Sequence, residues 1–112
     1  METNSNSNVH IIDRKGYYFE FHRDYFVYRR KTLFKEQYVD VPFLDIENID
    51  YYVKSVNYDR TYIYVLKLHS NSSIEITAKT QAQLSVLMEA VAIINELRSR
   101  AIISSIGHGE NT

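Results

Sequence analysis

The sequence predicts an α+β fold: a bent antiparallel β-sheet, or a partly open barrel, of about six to seven strands, capped by one C-terminal α-helix. Two observations predict this class. Between residues 17 and 78, short runs that alternate apolar and polar residues are separated by turn residues, which is typical of antiparallel strands with short connections. Between residues 80 and 100, apolar residues instead recur every three or four positions, which is the period of a helix.

The first predicted strands precede the single proline. Residues 17–22 alternate as a half-buried strand, and residues 25–31 form its hairpin partner after a turn at Arg23 and Asp24. A third strand lies near residues 36–41. Because Pro42 has no amide proton to donate to a neighbouring strand, we expect it at a strand end or a sheet edge.

Three further strands are predicted at residues 49–56, 62–69 and 73–78, with turn-forming Asn, Ser and Asp between them. Ile46 and Ile49 are three positions apart, and the sequence leaves open whether they form one helical turn or a bulge. Apolar groups occupy both faces of residues 62–69 near the start of that strand. Two layers are therefore expected to cover it.

The helix is predicted to begin at Thr80, which forms a capping box with Gln83. Its core face is predicted to contain Leu84, Leu87, Met88, Val91, Ile94 and Leu97. Val86, Ala90 and Ile93 widen the apolar stripe, so that we expect spare apolar surface on that side. Arg98 and Arg100 are predicted to lie in the last turn, where positive charge opposes the exposed carbonyls. The sequence leaves open whether residues 101–107 add one further turn.

The composition indicates one globular domain, predicted at residues 11–106 with a disordered leader (1–10) and tail (107–112). The absence of cysteine excludes a disulfide scaffold and thiol chemistry. No secretory signal and no apolar run long enough to span a membrane is present, which predicts a soluble cytoplasmic protein. A net charge of -1 argues against wholesale nucleic-acid or membrane binding, although basic residues concentrate in the first third and acidic residues follow.

The chain from Tyr17 to Arg100 resembles the pleckstrin-homology superfold, and bacterial PH-like domains in particular. Three segments carry the resemblance: the strand pair at residues 17–31, VPFLDIENIDYY, and IEITAKTQAQLSVLMEAV, where a strand runs directly into the capped helix. The resemblance implies a bent sheet closed at one end by the helix. The sequence departs from the family by having no tryptophan in the final helix and no lysine- and arginine-lined loop at the first hairpin, so lipid binding is not implied.

We predict no catalytic, metal or cofactor site, and therefore no enzyme. The four histidines are scattered without metal-ligand spacing, and no phosphate-binding glycine loop or nucleophile elbow occurs. Asp45, Glu47 and Asp50 have the chemistry of an acid and base pair, but alternating acids at the start of a strand are more typical of a solvated edge.

Tyrosine is unusually abundant, with 10 among 112 residues. Tyrosines fill cores and their rims, and they are also enriched at protein interfaces. We predict a non-enzymatic protein-interaction module, self-associating as a homo-oligomer, that binds a protein partner through a tyrosine-rich sheet face and the spare side of the helix: Tyr51, Tyr52, Tyr58, Tyr62, Tyr64, Val86 and Ile93.

A basic run supports an alternative function, the electrostatic binding of phosphate-bearing ligands such as a lipid headgroup or nucleic acid. Its residues are Arg29, Arg30, Lys31 and Lys35. Charges at the end of a hairpin strand are more typical of solubility and of protection of a strand edge, and the acidic segment at residues 36–50 offers them partners that would neutralise the patch. A second alternative, a small phage-type inhibitor protein, fits the chain length and the lack of catalytic motifs.

Overall fold

The computed structural model describes residues 9–110, and side chains as far as residue 106. The described part confirms the predicted α+β class, because strands grouped in two antiparallel sheets precede one long helix and do not close into a barrel. The elements are β1 (His10–Arg14), β2 (Tyr17–Phe21), β3 (Tyr25–Lys31), β4 (Glu36–Pro42), β5 (Ile46–Val56), β6 (Asp59–Leu68), β7 (Ser73–Ala78) and α1 (Gln81–Glu110).

The first sheet has the strand order β1-β2-β3-β4, and the second has the order β5-β6-β7. Two of the hairpins have two-residue turns in which both central residues have positive φ, at Lys15 and Gly16 (56° and 89°) and at Asn57 and Tyr58 (50° and 73°). Such turns match the right-handed twist of the flanking strands. The sequence predicts no strand before residue 17, so β1 is an addition to the predicted set.

A short 3-10 turn, Phe43–Asp45, joins the two sheets. The pairing register of β5 with β6 shifts between Ile46 and Asn48, which is a bulge. Of the two alternatives that the sequence leaves open at Ile46 and Ile49, the bulge is correct, and the helical turn lies just before it. Pro42 ends β4 at the edge of the first sheet, as predicted.

The start of α1 confirms the predicted cap. The backbone N–H of Gln83 donates to Thr80 Oγ1 at 3.1 Å, and the Gln83 Oε1 accepts the backbone N–H of Lys79 at 2.9 Å. The end of the helix, which the sequence leaves open after Arg100, is at Glu110, ten residues further on. Residues 101–106 contain neither glycine nor proline, so nothing in them interrupts the helix. Arg98 and Arg100 therefore do not lie in the last turn.

The core lies between the sheets and α1. Its largest fully buried side chains are Phe19, Phe21, Phe26, Phe43, Ile12, Ile46, Leu66, Leu87 and Ile94. The predicted helix faces need a correction: Val86 and Ala90 are buried in the core, Ile93 is partly buried against it, and Met88 is 54% exposed. The exposed apolar surface of the helix lies instead towards its C-terminal end, at Ile103 and Ile106.

The predicted leader and tail overlap both ends of the described region. Residues 1–8 and 111–112 lie outside the described residues, whereas His10 belongs to β1 and residues 107–110 belong to α1. The division of the chain into leader, single domain and tail stays a prediction.

Candidate functional site

The five tyrosines that were predicted to form one face lie on different surfaces. The register of β5 with β6 places Tyr51, Tyr62 and Tyr64 on the inner face of the second sheet and Tyr52 on its outer face. Tyr62 is buried in the core, where its hydroxyl oxygen accepts a hydrogen bond from Gln81 Nε2 at 2.8 Å. Tyr58 is fully exposed at the tip of the β5–β6 turn. These tyrosines therefore do not share one face, and a role of these residues in protein binding stays a prediction.

Apart from Tyr58, the exposed members of this group lie on β5, which is an edge strand of the second sheet. Tyr51 and Tyr52 are each 47% exposed, Val53 is 43% exposed and Val56 is 55% exposed. The ring of Tyr51 packs on that of Tyr64 with the centroids 4.7 Å apart, which holds it against the sheet. β5 thus presents apolar side chains beside a row of unpaired backbone groups.

Arg98 of α1 covers only the start of this strand. Its Nε donates to the carbonyl oxygen of Ile46 and its Nη2 to that of Glu47, each at 3.0 Å. Residues 50–56 of β5, here called the open edge, are left without such cover among the described residues.

The other strand edges are shorter or better protected. The hydroxyl of Tyr17 donates to the Thr77 carbonyl oxygen on β7 at 2.6 Å. β4 ends in Pro42 and includes the charged side chains Glu36 and Asp40. β1 is only five residues long. Short strands, charge and proline are the usual means of preventing edge pairing. The open edge also includes the charged residues Asp50 and Lys54, but β5 is the longest strand in the described part of the chain and contains no proline.

A polar network that the sequence analysis missed lies on the outer face of the first sheet. The Tyr18 hydroxyl donates to Glu20 Oε1 at 2.6 Å, and His22 Nε2 lies 2.5 Å from Glu20 Oε2. The hydrogen bond to Glu20 raises the pKa of Tyr18 to about 12, and the hydrogen bonds from Tyr18 and His22 lower the pKa of Glu20. Tyr18 therefore stays a protonated donor at neutral pH. The sequence signal for this network was that Tyr18, Glu20 and His22 alternate with the apolar residues of β2 and so share its outer face.

The four predicted basic residues do not act alike. The guanidinium carbon of Arg29 lies 5.7 Å from the centroid of the Tyr18 ring, and its Nη2 donates to the carbonyl oxygen of Gly16 at 3.4 Å. The guanidinium group of Arg29 is therefore held against the first sheet by these contacts. Lys31 pairs with Glu36 across the hairpin at 3.9 Å, between half-exposed side chains. Arg30 and Lys35 are exposed. Of the predicted acidic partners, Asp50 pairs instead with Lys67 at 3.3 Å.

The loop between β3 and β4 displays two apolar side chains. Leu33 is 91% exposed and Phe34 is 94% exposed. The loop itself is ordered by hydrogen bonds: the Thr32 N–H donates to the Lys35 carbonyl oxygen at 2.8 Å, and the Lys35 N–H donates to Thr32 Oγ1 at 3.2 Å. Residues 30–35, here called the hairpin tip, thus combine exposed cations with two apolar groups held in water.

Comparison with known proteins adds no relative. No protein-family model matches the chain, and no curated protein or solved structure matches it. The resemblance to the PH superfold therefore stays a prediction. Within residues 9–110, no helix has both the length and the apolar character needed to cross a membrane, and no cluster of three or more His, Asp and Glu side chains is placed to hold a metal ion.

Proposed function

We propose that the protein is a non-enzymatic protein-interaction module that self-associates by pairing the open edge of β5 with the open edge of a second copy. The observation that carries the proposal is the exposure of apolar side chains along an 11-residue edge strand whose start alone is covered. Long, apolar, unprotected edges are templates for strand addition. A cytoplasmic location and an additional protein partner belong to the same proposal.

The open edge is self-complementary in one antiparallel register. If a two-fold axis passes through Tyr52, Asp50 of one copy lies opposite Lys54 of the other, and Tyr51 lies opposite Val53. Both ion pairs and both apolar pairs then form at once, because a two-fold axis generates each contact twice. The two three-stranded sheets would join into one continuous sheet.

The side chains in this register favour pairing. Tyr51, Tyr52 and Val53 would lose water contact that they keep in the single chain, where each is more than 40% exposed. Cross-strand ion pairs contribute roughly 0.2–1 kcal/mol each, and like charges directly opposite one another are destabilising. Reversing one charge therefore changes the dimer by roughly 1–3 kcal/mol, or about 5- to 150-fold in its dissociation constant.

Two single charge reversals test this register. Lys54→Asp places carboxylates at both positions 50 and 54, and Asp50→Lys places cations at both, so each variant alone should dissociate. An equimolar mixture should form a heterodimer, because both charge pairs are then complementary. Sedimentation velocity over a concentration series measures the association, and Lys67→Gln is the matched control because it removes the Asp50 ion pair without changing the open edge.

The proposal fails if the wild-type chain stays monomeric over the whole series, or if the mixed variants stay apart while each remains folded by circular dichroism. The proposal of a small phage-type inhibitor also requires a protein-binding surface. The inhibitor proposal predicts a different result: affinity capture from cells with this chain as bait should recover an enzyme and not a second copy of the chain.

A further inference from the structure

The hairpin tip presents two of the most exposed large apolar side chains in the described part of the chain. Leu33 and Phe34 are adjacent and each more than 90% exposed. Scattered apolar residues at a protein surface are ordinary, but two adjacent ones at the end of a projecting hairpin, held by three hydrogen bonds between Thr32 and Lys35, are an ordered apolar point.

The charges around these two side chains are mainly positive. Arg30, Lys31 and Lys35 lie within three residues of them, and Glu36 is the one acidic residue between positions 29 and 36. Lys15 is also exposed at this end of the fold, because Arg29 donates to the Gly16 carbonyl oxygen and so places the β1–β2 turn beside β3. The protein as a whole has a net charge of -1, so this is a local concentration of positive charge.

We propose that the hairpin tip docks on membranes that contain anionic lipids, with Leu33 and Phe34 inserted at the boundary between headgroups and acyl chains. Apolar side chains flanked by Lys and Arg suit this boundary, because the apolar groups leave water while the cations remain among the phosphates. Leu33 favours a bilayer over single-stranded nucleic acid, because an aliphatic side chain offers no ring on which a base can stack. This site is separate from the open edge of β5.

A fluorescent reporter tests insertion directly. The chain contains no tryptophan, so Phe34→Trp introduces a single one at the hairpin tip. Its emission should shift to shorter wavelength when vesicles of phosphatidylcholine with about one-third phosphatidylglycerol are added, and should not shift with phosphatidylcholine alone. Tyr58→Trp is the matched control, because Tyr58 is a fully exposed aromatic residue at the tip of another hairpin. Its emission should stay unchanged.

Vesicle flotation separates the apolar contribution from the electrostatic one. Leu33→Ser with Phe34→Ser should reduce partitioning about tenfold or more, and Arg30→Gln with Lys31→Gln and Lys35→Gln should reduce it to a similar extent. Ile103→Ser with Ile106→Ser removes an exposed apolar pair from α1, away from both the hairpin tip and the open edge, and should leave partitioning unchanged.

Three results would overturn the proposal. The first is that wild-type protein fails to float with anionic vesicles at low salt. The second is that the Leu33 and Phe34 variant binds as well as the wild type, which would make the surface purely electrostatic. The third is that soluble glycerol phosphate or single-stranded DNA competes fully for the hairpin tip, which would identify a phosphate or nucleic-acid site. Binding that glycerol phosphate does not displace supports insertion into the bilayer over recognition of a free phosphate.

Discussion

Arg98 provides the sharpest test of how the helix positions β5. Its two hydrogen bonds, each 3.0 Å long, reach the carbonyl oxygens of Ile46 and Glu47 at the bulge where β5 begins. Hydrogen bonds from charged donors contribute roughly 1.5–3 kcal/mol each when buried. Because Arg98 is only partly buried and water can replace part of the interaction, we expect Arg98→Ala to lower the free energy of unfolding by about 2 kcal/mol.

This loss is large enough to measure. For a domain of this size, about 2 kcal/mol corresponds to a fall in Tm of roughly 5–10 °C. Arg98→Lys should recover little, because an ammonium group lacks the planar fork that reaches two carbonyls together. Arg100→Ala is the matched control: Arg100 lies on the same helix and pairs with Glu96 between side chains that are 70% and 61% exposed. We expect a change below about 0.5 kcal/mol for it.

Urea unfolding and hydrogen exchange together test the mechanism. The amides at the start of β5 should exchange faster in Arg98→Ala, whereas those of β2 should change only with global stability. If Arg98→Ala and Arg100→Ala lower stability equally, or if exchange in β5 is unaffected, the interaction of Arg98 with the bulge does not hold the strand. Arg98→Ala should also strengthen self-association, because it extends the unprotected edge to Ile46.

Two other substitutions have effects of predictable sign. Glu20→Gln should lower the pKa of Tyr18 from about 12 towards its usual value of 10.0, measured by NMR titration of the labelled tyrosine ring. The folded state lowers the pKa of Glu20, so the ionised carboxylate stabilises the fold at pH values above its usual pKa of 4.5. This stabilisation is lost as the pH falls through the lowered pKa, and Glu20→Gln should therefore lose less stability on acidification than the wild type. Equal acid sensitivity of the two proteins would contradict this. Tyr58→Gly should raise stability by about 0.5–1 kcal/mol in urea unfolding, because Tyr58 has a φ of 73° and its exposed side chain packs on nothing that would be lost. Tyr58→Ala keeps the Cβ and should show no such gain.

Local patterns predicted much of the fold. β3 and β7 have the predicted boundaries, and the cap at Thr80 forms as expected, because alternation and capping chemistry depend on neighbouring residues. β1 was not predicted because it is short and follows a polar segment. The turn at Lys15 and Gly16 was the sequence feature that could have indicated a hairpin there. The outer-face cation Arg29 could not be assigned to Tyr18 and Gly16 without the register of β2 with β3.

The surfaces depend on contacts between distant residues, which local sequence patterns do not specify. Alternation along β5 and β6 predicts which side chains share a face, but it does not predict how far the helix covers that face. Tyr62 is buried beside Gln81, whereas Val53, its partner across the strands, is 43% exposed. The position of the helix is held at one end by Gln81 and further along by Arg98, which is 52 residues from its partner Ile46. The proposed self-association edge on β5 therefore begins where the helix stops protecting the sheet. Substitutions at Arg98 should alter that edge although they lie on another element.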